Sequence, residues 1–162
     1  MSEYYIGVDL GGTKILTAIA DSEGKILARK KSPTEADKSQ DVIINNINNT
    51  IEEVMEEINL KKDQVAKIGI GSPGPLSSKK GVIYESANMG WKNVPLVDIL
   101  EEKTGIAVKL ENDANAAALG EKWFGAGKDV DHMIYVTVST GIGGGIIIDK
   151  KILQGVDGAA GE

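Results

Sequence analysis

Residues 4–20 read Y-Y-I-G-V-D-L-G-G-T-K-I-L-T-A-I-A. Through residue 10 the apolar positions alternate. Ile6, Val8 and Leu10 fall on one side and Gly7 and Asp9 on the other, the period-two pattern of a strand. Gly11 and Gly12 break the alternation, and a second apolar run covers 15–20, so the stretch predicts two antiparallel strands joined by a glycine turn. Asp21-Ser22-Glu23-Gly24 is a plain turn, and a third strand over 25–31 is closed by Pro33. The chain therefore opens as a three-stranded meander.

Outward from that meander, the pattern changes period. Over 39–59 the apolar residues fall at Ile43, Ile47, Ile51, Val54 and Ile58, steps of three and four that mark one helical face, while the other face is rich in Asn and Glu. A buried-looking strand at 65–71 ends in Ser72-Pro73-Gly74-Pro75. Residues 82–84 form a short strand, 96–103 a helix and 106–110 another strand. The stretch 113–123, with Ala114, Ala116, Ala117, Ala118 and Leu119, carries the strongest local helix signal in the chain. Two apolar runs follow at 133–138 and 145–148, separated by a glycine-rich joint, and a third begins at 152–153. The order β-β-β-α-β-α-β-α predicts an α/β lobe over 1–123, and 124–162 repeats the opening hairpin as the start of a second lobe.

Composition narrows the function classes. The 162 residues include 20 glycines and no cysteine, which excludes a disulfide scaffold and a thiolate zinc site within these residues. The net charge of −6 is the wrong sign for a non-specific nucleic-acid or anionic-membrane binder, so neither partner is expected. With 41% hydrophobic and 26% charged residues, the composition is that of an ordinary globular protein. No run approaches the ~18 apolar residues of a membrane span, and residues 1–5 lack the features of a signal peptide, so a cytoplasmic location is expected.

Three constellations suggest chemistry. Asp9-Leu10-Gly11-Gly12-Thr13-Lys14 joins an acidic strand end to two glycines and a hydroxyl. Backbone N–H groups there can approach phosphate oxygens, Thr13 adds a donor, and Asp9 can hold Mg²⁺ directly or through water. A polar hairpin turn is the competing reading. Ser139-Thr140-Gly141-Ile142-Gly143-Gly144-Gly145 has four glycines in its last five residues, more than a hairpin requires, which favours a second phosphate clamp. Glu111-Asn112-Asp113-Ala114-Asn115 lies where a buried strand ends and a helix starts, the usual position of α/β ligand sites. Its carboxylate can accept a proton from a hydroxyl nucleophile, although Asp is also a favoured N-cap.

Two loops, Ser72-Pro73-Gly74-Pro75 and Asn88-Met89-Gly90-Trp91, could wall a polar pocket, and ordinary turns with Trp91 packed at a core edge explain them equally well. Gly69-Ile70-Gly71-Ser72-Pro73-Gly74 matches the dinucleotide fingerprint in letters only, because Pro73 and Pro75 oppose the helix that must open there. No P-loop spacing exists. His132, the single histidine, has no partner evident in the sequence and reads as a surface or strand-edge residue.

Taken together, I-G-V-D-L-G-G-T-K at 6–14, G-S-P-G-P at 71–75, N-M-G-W at 88–91, E-N-D-A-N-A-A-A-L-G-E at 111–121, S-T-G-I-G-G-G at 139–145 and G-A-A-G-E at 158–162 resemble the N-terminal half of bacterial glucokinases of the ROK family. The resemblance implies the actin-like ATPase fold, with two RNase-H-like lobes around a cleft, and transfer of the γ-phosphoryl group of ATP, as its Mg²⁺ complex, to the 6-hydroxyl of glucose. Carried over by motif, Asp9, Gly11, Gly12, Thr13 and Lys14 match the first phosphate motif, and Thr140, Gly141 and Gly143 the second. Asp113 matches the general base. Asn112, Asp113 and Glu162 match sugar ligands, Gly74 lines the same pocket, and Asn88 follows from its loop alone.

The family's zinc-binding histidine and cysteines, its adenine pocket and most of its dimer surface follow the point where these residues stop. The resemblance thus implies structural Zn²⁺ and a homo-oligomer only for a full-length protein, and an isolated chain that is inactive or nearly so. The open strands at 133–138 and 145–148 predict edge-strand self-association of the chain alone. Two other classes share parts of the pattern: a sugar-sensing ROK regulator without catalysis, and an actin-like ATPase of chaperone or cytoskeletal type.

Overall fold

The opening alternation becomes β1 (Tyr4–Leu10), with Ile6, Val8 and Leu10 buried and Gly7 and Asp9 on the open face. A computed structural model describes residues 3–138, 142–155, 158, 160 and 161. β1 pairs antiparallel with β2 (Lys14–Asp21), Leu10 opposite Ile15, and β2 pairs antiparallel with β3 (Ile26–Pro33). Helix α1 (Gln40–Glu57) lays Ile43, Ile44, Ile47, Ile51 and Val54 on the buried face of this meander. Burying a side chain of that size contributes about 1.5–3 kcal/mol, which makes this layer the main apolar core. One polar pair crosses it: the Thr17 and Thr50 hydroxyls lie 2.7 Å apart, and Thr50 Oγ1 donates to the Ile47 carbonyl at 2.8 Å. Each buried hydroxyl is thereby satisfied.

The helix stops at Glu57, two residues before the predicted end. Asn59 takes a left-handed conformation (φ 52°), and the Leu60 and Asn59 N–H groups donate to the carbonyls of Met55 and Glu56. Asparagine tolerates that conformation, so the chain can close the helix with the paired bonds of a Schellman turn.

β4 (Val65–Ser72) then pairs parallel with β1. The next stretch, predicted to hold one short strand, forms a small antiparallel sheet of β5 (Leu76–Ser77), β6 (Val82–Ser86) and β7 (Trp91–Val94). β5 is too short to show a period, and β7 buries only its two ends, Trp91 and Val94, so neither alternates visibly. Trp91 is 3% exposed, so the tryptophan of that loop packs into the core. Helix α2 (Leu96–Thr104) ends at Gly105 with φ 72° and leads into β8 (Val108–Asn112), which pairs parallel with β4. β8 starts two residues later than predicted because Ile106 is buried in the turn rather than in the ladder. The five-stranded sheet runs β3-β2-β1-β4-β8.

α3 (Asp113–Phe124) follows β8 without a linker, and a second sheet, β11-β10-β9, is built from β9 (Met133–Val138), β10 (Ile142–Ile148) and β11 (Lys151–Ile152). α3 lies between the two sheets, against β4 and β8 on one side and β9 and β10 on the other. β10 begins at Ile142 rather than at the predicted 145, with Gly143 opposite Thr137 and Gly145 opposite Tyr135. The glycines pair as strand residues, and at Gly145 α3 passes too close for a side chain. A Cβ on Gly145 would stand 2.5 Å from the Ala118 Cβ and 2.9 Å from the Ala114 carbonyl, and one on Gly71 of β4 would lie 3.4 Å from the Ala116 Cβ.

Candidate active site

The first glycine hairpin is held from behind. Gly11 N–H donates to the Lys14 carbonyl at 3.0 Å, Thr34 Oγ1 donates to the Gly11 carbonyl at 2.6 Å, and Thr34 N–H donates to the Thr13 carbonyl at 3.1 Å. Thr34 is fully buried, so the strap is fixed and the outer side of residues 11–12 is left to face the cleft. Asn88, carried by the loop between β6 and β7, packs against this hairpin: a Cβ on Gly12 would come within 2.9 Å of the Asn88 Cβ. Only glycine fits there.

The third constellation sits at the β8–α3 junction. Asn112 is the N-cap, its Oδ1 accepting from the N–H groups of Ala114 (2.9 Å) and Asn115 (3.1 Å). The capping role considered for Asp113 thus falls to its neighbour. Asp113 occupies the first helical position, its Oδ1 accepting from Ala114 N–H at 2.8 Å, with its side chain exposed. The helix N-terminus favours the anion there.

These pieces converge. A cleft of about 560 Å³ is lined by Gly11 and Gly12, by Pro73 and Gly74, by Asn88, by Asn112 and Asp113, and from the second sheet by Thr137, Gly143, Gly144 and Gly161. Residues more than a hundred positions apart in sequence meet around it. A second, adjoining groove of about 600 Å³ runs along the open face of the five-stranded sheet, and Asp9 lines this groove rather than the cleft. Asp113 borders both. Thr13 and Lys14 border neither; they are exposed at the hairpin tip.

Burial pushes the Asp9 carboxyl above the ordinary carboxylate range. Lys14 pulls it back in part, and the negative charge of Asp113 adds to the rise. The hairpin lysine and the helix-start carboxylate therefore both act on the Asp9 charge. A carboxylate raised by the charge of a second carboxylate suits a hard divalent cation, which takes oxygen ligands and would relieve their repulsion. Among the described residues there is no cluster of three or more His, Cys, Asp or Glu arranged around a metal position.

Thr140, Gly141 and Glu162 lie outside the described residues, so of the second phosphate motif only Gly143 is located, on the cleft wall. Thr137 and Gly161 on the cleft wall and the strap Thr34 are not singled out by the sequence. Thr137 reads as one more position of an apolar strand, and Thr34 follows a proline in a stretch without period. His132, read as unpartnered, accepts from the Asp149 N–H at Nδ1 (3.2 Å) and lies 3.7 Å from the Asp149 carboxylate in an exposed setting, and it lines neither the cleft nor the groove. No helix of the described residues is long and apolar enough to cross a membrane.

A β-β-β meander extended by two parallel strands, with a glycine hairpin and a strand-end acid at one cleft, is the sugar-kinase form of the actin-like ATPase fold. The ROK family sequence profile matches residues 5–162, and the chain belongs to the ROK family. It is 43% identical over 158 residues to a glucokinase of Thermotoga maritima, covering 97% of this chain and 48% of that protein. A glucokinase of Halalkalibacterium halodurans is 41% identical over 159 residues, with 98% and 48% covered. A xylose repressor of Bacillus subtilis is 34% identical, with 98% and 41% covered. Among solved structures, a ROK family glucokinase from Streptomyces griseus in complex with glucose and AMPPNP superposes with a TM-score of 0.88 at 40% identity, covering 98% of this chain and 49% of that one. The chain spans about half the length of the curated relatives it matches.

Proposed function

We propose that the chain contributes the phosphate hairpin, the sugar loop and the general base of an ATP-dependent hexose kinase acting on the 6-hydroxyl of glucose. The reading is carried by one observation, the position of Asp113. Its carboxylate is exposed at a helix N-terminus and borders both the cleft of Asn88 and Asn112 and the groove of Asp9. Residues 1–123 would form the first lobe and 124–162 the opening strands of the second.

Phosphoryl transfer asks a protein mainly to position groups and neutralise charge. In this reading Asp113 aligns the sugar hydroxyl and takes its proton as the oxygen attacks, with Asn112, Asn88, Gly74 and Glu162 holding the other hydroxyls. The hairpin of Gly11, Gly12 and Thr13 would hold phosphate oxygens from one side through the backbone N–H groups of Gly12 and Thr13, with Lys14, while the Gly11 N–H closes the turn; Thr140, Gly141 and Gly143 hold them from the other. Asp9 would hold Mg²⁺, which when bound neutralises phosphate charge. Closure of the cleft by the second sheet would exclude water, the competing nucleophile. An enzyme of this kind works in the cytoplasm, where ATP and free sugar meet.

A second reading, sugar sensing without catalysis, is favoured by the likeness to the Bacillus subtilis repressor. Asp113→Asn in the full-length protein separates the two. A kinase loses sugar-dependent ADP release while still binding glucose; unchanged ADP release in this variant would overturn the assignment of Asp113.

A further inference from the structure

One carboxylate near the cleft is not used by that mechanism. Glu111, the next-to-last residue of β8, turns toward α3, and three donors meet it. Its Oε1 accepts the Asn112 backbone N–H at 2.9 Å and the Asn115 Nδ2 at 3.1 Å, while its Oε2 accepts the Gln154 Nε2 at 2.9 Å. Asn115 is 1% exposed, and among the described residues its side chain is held by Glu111 alone. On the far side, Gln154 lies two positions beyond β11, and its carbonyl accepts the Ala160 N–H at 3.1 Å. That bond closes a loop leading directly to Gly161, which packs against the Gly144 backbone and lines the cleft.

We infer that Glu111 is a positioning residue, whose carboxylate ties the Asn112–Asp113 wall of the cleft to Gln154 and, through the bond from Ala160 to Gln154, to the opposite wall at Gly161. The inference rests on the hexose-kinase reading for its kinetic consequence but not for its geometry. Both ends of the tie carry cleft residues: Asn112 and Asp113 on one side, Gly161 on the other. The charge matters because hydrogen bonds to an ionised acceptor are about twice as strong as neutral ones, and a single carboxylate can accept all three. A tie of this kind sets the spacing of the two walls that must enclose one sugar, and small misplacements of reacting groups are expensive in rate.

The alternative role is local: Glu111 merely stiffens the β8–α3 junction. The two roles differ at Gln154, which has no part in that junction. In the full-length protein, Gln154→Ala is expected to raise the sugar KM about threefold while the ATP KM stays unchanged, and Glu111→Ala about tenfold with a fall in kcat. The double variant should be no worse than Glu111→Ala alone, because both remove the same tie. Glu111→Gln keeps a carbonyl that can serve Asn112 and Asn115 but loses the charge, so its sugar KM should fall between those of the parent and Glu111→Ala. Amide exchange supplies a readout independent of activity: the Ala160 N–H should exchange faster in Glu111→Ala. An unchanged sugar KM in Gln154→Ala, additive effects in the double variant, or unchanged Ala160 exchange in Glu111→Ala would overturn the tie. A parent that binds sugar without releasing ADP would instead overturn the kinase reading, and the exchange measurement would still decide the tie.

Discussion

At the residue scale, Asp113 and Asp9 have opposite dependences on their surroundings. Asp113 is exposed, and the Ala114 N–H that its Oδ1 accepts can equally be accepted by an asparagine carbonyl, so Asp113→Asn removes a proton acceptor without disturbing packing. The expected loss in kcat is about 10²–10⁴-fold, with glucose affinity kept within about threefold; coupled ADP release and calorimetric glucose binding measure the two. Asp9 lies on the open face of β1, where partial desolvation raises its carboxyl, opposed by Lys14 and assisted by Asp113. The native state therefore binds this proton more tightly than the unfolded chain does, so the ionised form costs stability near neutral pH. That cost is relieved as pH falls through the raised value, and it vanishes below about pH 4, where both states are protonated. Asp9→Asn should raise Tm slightly near neutral pH, with the advantage gone in acid and phosphoryl transfer lost. Thermal unfolding without nucleotide or divalent cation measures it, and a lower Tm near neutral pH would contradict the electrostatic account. The turn at Gly11 and Gly12 after the strand of Asp9 is legible in sequence, because paired glycines break the alternation there. Thr34 was not, because its hydroxyl gains meaning only once Gly11 is folded beside it.

At the scale of elements, α3 is where local and long-range demands meet. Its alanines read as helix propensity, and in the fold they are also clearance: Ala116 faces Gly71 of β4, and Ala114 and Ala118 face Gly145 of β10. The sequence reading assigned the glycines at 143–145 to a phosphate clamp. The register puts them inside β10, and Gly145 is needed because α3 crosses it, not because a phosphate approaches. Gly145→Ala should therefore destabilise the fold by about 1–3 kcal/mol through overpacking. Urea unfolding measures it, and parent-like stability would show that α3 can retreat from the strand. The long elements were readable from their period, as in α1. The small sheet was not: β5 and β7 are short, and their pairing with β6 depends on partners the sequence pattern cannot name.

At the scale of the whole molecule, the second sheet is covered on one face only. Ile134, Val136, Val138 and Ile142 point away from α3 and are 71%, 59%, 76% and 77% exposed. Contiguous apolar area of that kind is rare on a solitary soluble chain. The 162-residue chain by itself should self-associate, and Val136→Lys should shift it toward monomer in sedimentation. A clean monomer before the substitution would contradict this. The repeat of the opening hairpin was visible in the sequence, but α3 lying between the two sheets was not, since a helix rich in alanine has no single apolar stripe to orient it. The central claim, that this cleft moves phosphate from ATP to a hexose, is met most directly by a coupled ADP-release assay on the full-length protein across glucose, mannose, fructose and N-acetyl sugars. The account expects ADP release that depends on sugar and is fastest per unit concentration with glucose. ADP release at the same rate without sugar, or glucose binding with no ADP release at all, would contradict it.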